Sequence, residues 1–438
     1  MQLKVVKFGG SSLSDTEHFM RVASIIKADP TRRYVVASAP GKRTDDDQKV
    51  TDMLYTCYNM IKNREDITDY YQKIVERYTG IISGLNLNFD ITGELEYIKS
   101  AMMARSGRDF AASRGEYLNS LILAKYLGFD FIDAENVIFF KDNGSFDEEK
   151  TNEAMKAELK KHKNAVIPGF YGSMPNGTIK TFTRGGSDIT GSIVARASNA
   201  DLYENWTDVS GFLMADPRIV KDPLPISTVT YRELRELSYM GAGVLHEDSI
   251  FPVQKEGITI NIRNTNHPED EGTLIVPNMY TDANEHLITG VAGKKGFSVI
   301  NIEKNRMGGE FGFAARVFKC LDNYAIHTEH LASGIDTMSH IVSTKELNSK
   351  MDELVTELHR VTDADNITVD TGLALVAVVG CGMKESKGTA ARIFSAISGA
   401  GVNVRMIDQG SSELNIVVAI YESDYEKTIQ AIYNEFIK

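Results

Sequence analysis

A lysine, two glycines and two serines close the first apolar run of the chain, where Lys4-Val5-Val6-Lys7-Phe8 leads into Gly9-Gly10-Ser11-Ser12. In an open α/β sheet, ligands bind beyond the carboxyl ends of the strands. Glycines there let the backbone approach a phosphate, a helix start offers N–H groups and about half a positive charge, and Lys7 adds a full one. The same segment also reads as a tight turn with Ser11 or Ser12 as a helix N-cap. A second stretch of the same layout, Thr183-Arg184-Gly185-Gly186-Ser187-Asp188, supports the phosphate reading. Two glycine-rich turns feeding helix starts suit a ligand with two anionic parts. Arg184 can hold a carboxylate bidentately, and Asp188 can position a lysine or a magnesium ion; alone, it reads as a plain first-turn helix residue. A third candidate, Trp206-Thr207-Asp208-Val209-Ser210-Gly211 through Ala215-Asp216-Pro217-Arg218, again follows a strand. Neither a Gly-x-x-x-x-Gly-Lys-[Ser/Thr] loop nor a His-Arg-Asp catalytic loop occurs, so a phosphate enzyme here uses another scheme. The acidic run Asp45-Asp46-Asp47 beside Lys42 and Arg43 reads as a solvated loop without a role.

The elements that must position these residues alternate short β-branched runs with longer amphipathic ones. Leu3–Phe8, Arg33–Ser38, Asn164–Pro168, Thr178–Phe182, Leu202–Trp206 and Ile258–Arg263 read as strands, and Thr16–Lys27, Lys49–Thr79, Glu116–Leu127 and Ser187–Asn199 as helices. Such alternation predicts a mainly parallel sheet with helices on both faces, a three-layer α/β sandwich. The 438 residues imply two or three domains at roughly 100–200 residues each. A net charge of −12 argues against a nucleic-acid backbone or an anionic membrane surface as partner. The 3 cysteines form no disulfide framework and no paired zinc spacing, and no apolar run reaches the ~20 residues of a membrane span. A soluble protein of a reducing cytoplasm is expected.

All 10 prolines lie between Pro30 and Pro277, which marks a C-terminal region of different construction. An ungapped offset of 76 places Gly312-Phe313-Ala314-Ala315-Arg316-Val317-Phe318 on Gly388-Thr389-Ala390-Ala391-Arg392-Ile393-Phe394. It also aligns Val299 with Leu375, Ile326 with Val402 and Val342 with Val418. Each copy reads as strand, glycine-initiated helix, two strands, a second helix (Ser349–Val361 or Asp424–Phe436) and further β, the split βαβ plan. Leu287–Ala292 precedes the first copy and has no counterpart at this offset.

Taken together, Lys7-Phe8-Gly9-Gly10-Ser11-Ser12, the Phe170 segment leading to Arg184-Gly185-Gly186-Ser187-Asp188, Trp206-Thr207-Asp208-Val209 with Asp216-Pro217-Arg218, and Gly272-Thr273-Leu274 resemble the aspartate kinases of the amino-acid kinase superfamily. The resemblance spans nearly the whole chain, because that family carries tandem regulatory ACT domains, which the repeat is similar to. It implies a catalytic domain over 1–285 and α+β ferredoxin-like ACT domains over 286–370 and 371–438, with terminal strands open to exchange between the two. It also implies ATP and Mg2+ as the nucleotide and ion, L-aspartate as substrate and a homodimer or dimer of dimers.

Carried over residue by residue, the resemblance gives Lys7 the transferring phosphoryl group and Asp188 the orientation of Lys7 or of the metal. Gly9, Gly10 and Ser11 cradle phosphate oxygens; Thr207, Asp208 and Arg218 hold the nucleotide. Arg184 takes the substrate α-carboxylate, Glu116 the α-amino group, and Thr51, Phe170 and Ser187 line the pocket. No metal motif is present as such. One departure stands out: the family's Gly-Ala-Lys-Val-Leu-His-Pro is here Gly241-Ala242-Gly243-Val244-Leu245-His246-Glu247, without its lysine. Arg218, Lys221 and Lys255 are the cations nearest in sequence to replace it. Met307, Phe313, Glu329, Ser333 and Asp336 match an effector site, and the two carboxylates favour lysine over threonine as the feedback ligand. Other amino-acid kinases lack the tandem repeat, and a kinase-like amino-acid sensor finds support only in Gly243.

Overall fold

The computed structural model describes residues 2–183, 185–242, 249–277 and 286–437. They form two units, one comprising Met1–Phe212, Ser227–Tyr231 and Val244–Asn278, the other Leu213–Ile226, Arg232–Gly243 and Met279–Lys438.

In the first unit the strands β1 (Lys4–Phe8), β2 (Arg32–Ala37), β3 (Asp130–Phe131), β4 (Ala165–Pro168), β7 (Leu202–Thr207), β8 (Thr228–Thr230), β9 (Thr259–Asn264) and β10 (Thr273–Val276) make an 8-stranded sheet. The order is β8-β10-β9-β7-β1-β2-β4-β3, parallel from β9 to β3, with β10 antiparallel to β9. The alternation of runs thus produces the parallel centre it predicts. Residues 178–182 depart from it: β6 (Ile179–Thr181) pairs with β5 (Tyr171–Ser173) as a separate two-stranded ribbon, since Gly177 at φ 80° turns the chain straight back.

The helices are α1 (Thr16–Ala28), α2 (Val50–Lys62), α3 (Thr68–Gly84), α4 (Thr92–Met103), α5 (Arg108–Leu127), α6 (Glu148–Leu159) and α7 (Gly186–Ser198). The single helix expected over 49–79 is two, because Arg64 takes φ 65° and breaks the run between Lys62 and Thr68. α5 starts eight residues before Glu116 (116 − 108), so Glu116 sits in mid-helix rather than at an end.

Strand alternation sorts β1 between two faces. Val6 and Phe8 join the core built with α1 to α5 and Trp206, while Lys7 turns to the opposite face, that of Asn205 and α7. Beneath the sheet's carboxyl end lies a buried ion cluster. Glu204, 0% exposed, accepts from Arg32 Nε at 2.8 Å and Trp206 Nε1 at 2.9 Å, with Lys4 Nζ at 3.4 Å.

In the second unit a 6-stranded antiparallel sheet is ordered β12-β13-β11-β14-β16-β15. Its strands are β11 (Gly290–Glu303), β12 (Thr328–Ser333), β13 (Thr337–Ser343), β14 (Asn366–Val379), β15 (Met406–Asp408) and β16 (Asn415–Tyr421), with helices α8 (Phe313–Asn323), α9 (Met351–Thr362), α10 (Thr389–Gly399) and α11 (Tyr425–Ile437). β11 and β14, 14 residues each, pair along their whole length and serve both repeats. Each has a glycine at its middle, Gly296 at φ 94° and Gly372 at φ 73°. The ladder slips at residue 296, and only glycine adopts such a bend without strain.

The orphan segment finds its place here. Gly290–Lys295 pairs with Ala374–Val379 and completes the second repeat, whereas Val299–Glu303 starts the first. The first repeat is therefore inserted within the second. α8 and α10 keep the offset of 76 (389 − 313), but Val299 faces Ile341 where Leu375 faces Ala419, so the third strands correspond at 78 (419 − 341). Val342 thus matches Ile420 rather than Val418. A slip of two preserves the buried face, which is why the apolar pattern concealed it. Leu213–Ile226 and residues 232–242 pack with this unit: the Tyr433 hydroxyl accepts Leu224 N–H at 2.9 Å, Val291 N–H donates to Met214 O at 2.7 Å, and the Thr289 hydroxyl donates to Glu233 at 2.6 Å.

Arg32→Ala is expected to destabilise the first unit by about 3–5 kcal/mol, the cost of leaving a buried carboxylate short of its partner. The chain's 1 tryptophan is Trp206, so its fluorescence in urea unfolding reports this unit directly.

Candidate active site

Lys7 is 7% exposed in a strand covered on both faces. An ammonium there needs a counter-charge, and α7 supplies it: Asp188 Oδ1 lies 2.6 Å from Lys7 Nζ. Asn205, directly opposite Lys7 in the β1–β7 register, donates Nδ2 to Asp188 Oδ1 at 2.8 Å and accepts from Lys7 at 3.4 Å. Two strands and one helix from distant parts of the chain thus converge on one ammonium. The sequence reading omitted Asn205; its place on the strand next to Lys7, at the carboxyl end, was the available signal.

The Gly9–Ser12 turn leads into a short 3-10 helix, Ser11–Leu13. Ser12 and Leu13 N–H donate to the carbonyls of Gly9 and Gly10, both at 3.1 Å. Gly10 and Ser11 begin the helix, where N–H groups have no intrahelical acceptor. Neither serine caps α1; Asp15 does, accepting His18 N–H at 3.1 Å. Gly10 is required on steric grounds as well, since a Cβ on it would fall 2.8 Å from Ala39 O, and Gly41 N–H bonds Gly10 O at 2.8 Å. Thr207 ends β7, and the exposed Asp208 accepts its hydroxyl at 3.2 Å.

On the other side of the turn lies Glu116, 5% exposed. Burial pushes its carboxyl up to about 8 against the opposing backbone hydrogen bond of Ala39, and its Oε2 has no partner. One turn along α5, Asn119 donates to Ser38 O at 2.6 Å and also keeps a buried, unpartnered oxygen. Thr51 stands in the first turn of α2, and a Cβ on Gly115 would lie 3.7 Å from its Oγ1. Phe170 holds φ 83°, a left-handed geometry costing about 1–2 kcal/mol in a residue with a Cβ; its N–H is secured by Thr190 Oγ1 at 3.1 Å. Ser187, next to it in space, would sit 2.6 Å from a Cβ on Gly169.

Arg184 and Gly243 to Glu247 lie outside the described residues. Arg218 belongs to the second unit, where it is 88% exposed in its side chain and bonded to Asp216 at 2.6 Å. Lys255 is engaged with Glu148 at 2.7 Å. Among the described residues no cluster of three or more His, Cys, Asp or Glu is arranged for a metal, and no helix is long and apolar enough to cross a membrane.

Residues 2–264 match the amino acid kinase family and residues 376–436 an ACT domain. Aspartokinase 3 of Bacillus subtilis is 37% identical over 99% of this chain and 98% of its own. The chain belongs to the aspartokinases of the amino acid kinase family. The crystal structure of Clostridium acetobutylicum aspartate kinase superposes with a TM-score of 0.92 at 50% identity, all of both chains being covered. Escherichia coli aspartokinase III, solved with aspartate and ADP, matches over all of both chains with a TM-score of 0.76 at 24% identity, a likeness of fold.

In the regulatory part of this aspartokinase, Met307 and Phe313 are buried in the core of the first repeat with Ile300, Val317 and Leu354. Glu329 lies on β12, where burial raises its carboxyl and the hydroxyl of Tyr239 donates to it. Asp336 Oδ1 accepts Arg306 N–H at 2.8 Å, and Gly308 N–H donates to Ile335 O at 3.0 Å. The backbone around Met307 and the Ser333–Asp336 turn are therefore brought together, while Glu329 is held elsewhere, with Tyr239.

Proposed function

We propose that this aspartokinase transfers the γ-phosphoryl group of ATP to the β-carboxylate of L-aspartate, giving ADP and 4-phospho-L-aspartate, and so opens the biosynthetic branch to lysine, threonine and methionine. The observation that carries the reading is the buried Lys7–Asp188 pair at the end of β1, next to a glycine turn suited to phosphate. A β-carboxylate oxygen attacks the γ-phosphorus in line, the bond from phosphorus to the β,γ-bridging oxygen breaks, and its electron pair leaves on ADP. An aspartate side chain, ordinarily near pKa 3.9, is already ionised and needs no base. Catalysis is then positioning and charge neutralisation. Lys7 meets the transferring group, Asp188 and Asn205 aim it, and the Gly9–Ser11 turn binds phosphate oxygens. Glu116 receives the substrate ammonium, Arg184 its α-carboxylate, and Thr51, Phe170 and Ser187 close the pocket. Thr207, Asp208 and Arg218 belong to the nucleotide side. Asp188 is the residue that would face a Mg2+ ion on the ATP phosphates, and such an ion would supply further neutralisation of their charge.

Feedback by lysine through the ACT domains is part of the same reading, supported by Asp336, a carboxylate beside the backbone around Met307; Glu329, held with Tyr239, is not brought to it. Pairing of two copies through the first ACT repeat is supported by Phe311 and Ile335, 99% and 81% exposed.

Incubation with ATP, magnesium and aspartate in the presence of hydroxylamine is expected to yield aspartyl hydroxamate; none from the wild-type enzyme would overturn the reaction. Lys7→Ala should abolish turnover almost wholly, and retention of more than a tenth would refute the role of Lys7. Millimolar lysine should inhibit; inhibition by threonine alone would refute the effector.

The raised pKa of Glu116 gives a further expectation. The free site holds a protonated carboxyl below about pH 8, whereas an ammonium ligand requires the carboxylate. Aspartate binding must then expel a proton, so its KM should fall as pH rises toward 8, by about tenfold per unit at most, and level off above. Glu116→Gln should raise KM and flatten this dependence; an unchanged slope would show that another group titrates.

A further inference from the structure

Asp47, which the sequence suggests is merely solvated, is the hub of a buried clamp. Its carboxylate accepts from Arg43 Nε at 2.8 Å and from Arg77 Nη2 at 2.6 Å. The Arg43 contact, seconded by Arg77, holds it well below the usual carboxylate range. Arg77 comes from the middle of α3 and is 6% exposed. Its Nη1 donates to Gly41 O at 3.1 Å and Ser14 O at 3.3 Å, and its Nη2 also reaches Gln48 O at 3.5 Å. One guanidinium therefore ties together the end of the Gly9–Ser14 turn, the residue whose N–H bonds Gly10 O, and the loop entering α2 three residues before Thr51 (51 − 48).

We propose that Arg77, keyed by Asp47, is a positioning residue for the phosphoryl transfer, locking the phosphate turn and the substrate side of the site into one geometry before ligands arrive. Arg77 touches backbone and Asp47 only, so it acts through Gly10, Gly41 and Thr51. The planar guanidinium is essential: it serves four oxygens on three segments, a fan that the single ammonium of lysine cannot reproduce. Without the clamp each ligand must order its own half of the site, and that cost is taken from binding.

The proposal rests on the reading of Gly9–Ser11 and Thr51 given above, and the experiment separates the two. In hydroxamate kinetics, Arg77→Lys should raise KM for both ATP and aspartate on the order of tenfold, with a smaller change in kcat. Asp47→Asn, which keeps the size of a side chain only 14% exposed, should reproduce the pattern more weakly. The double variant should be no worse than Arg77→Lys alone, because both act through one contact. A wild-type enzyme that forms no hydroxamate defeats the functional reading itself. An active wild type defeats the clamp if Arg77→Lys leaves either KM unchanged, if the two losses multiply, or if lost activity only tracks the unfolded fraction seen by Trp206 fluorescence.

Discussion

A lysine ammonium inside a parallel sheet is the condition that the rest of the N-terminal unit has to meet. Taking such an ion out of water costs several kcal/mol after relaxation, and a strand with both faces covered leaves Lys7 only 7% exposed. Asp188 and Asn205 offset that cost, and both must be in register to do so: Asn205 by strand pairing with β1, Asp188 by the first turn of α7. The pair thus stands at the end of β1 in a medium in which Coulomb interactions are several times stronger than in water. Glu116 shows the opposite outcome of the same burial. With a backbone N–H but no cation firmly on it, it holds its proton up to about pH 8. One buried group keeps its charge beside a partner, and the other keeps its proton.

The regulatory unit answers a different constraint, that two small α+β repeats must share one response. Sharing β11 and β14 does this more firmly than an interface would, since a shift in either strand is carried through the peptide backbone. Gly296 and Gly372 allow the two halves of each strand to serve differently oriented parts of the one sheet. The sheet curls far enough for its edge strands β12 and β15 to meet, His330 Nδ1 lying 2.6 Å from Asp408 Oδ2. The segments flanking β8 belong to this unit although β8 itself belongs to the other.

How much of this was legible in the sequence depends on how local each cause is. The parallel sheet, the glycine turns and the repeat announce themselves through periods of two and 3.6 and through strings such as Gly-x-Ala-Ala-Arg-x-Phe. The break between α2 and α3 did not, because Asn63 to Ile67 contains neither glycine nor proline and turns on one left-handed arginine. Nor did the fate of Asp47. A run of three aspartates beside Lys42 and Arg43 satisfies its own charges on paper, and the partner that buries one of them, Arg77, lies 30 residues away on a helix whose pattern reads as ordinary amphipathic surface. The two-residue slip between repeats was invisible for a sharper reason, that a period-two pattern cannot distinguish offsets of 76 and 78.

The electrostatics of the site also bear on the missing lysine at Gly243. Two of the three cations that sequence proximity offered in its place are engaged, Arg218 with Asp216 and Lys255 with Glu148. Lys7 is itself half of an ion pair, so the pair adds little net charge. The N–H groups of the Gly9–Ser11 turn and the N-terminus of α7 add dipoles, whose fields fade within a turn of their source. Short range is an advantage in a chain carrying −12 overall. A long-range positive field would be cancelled by that surface charge, whereas dipoles fixed at the strand ends act only on a phosphate already seated among them. Such a site depends on geometry more than on charge count, which is why a buried guanidinium that fixes the turn matters more here than another cation near it.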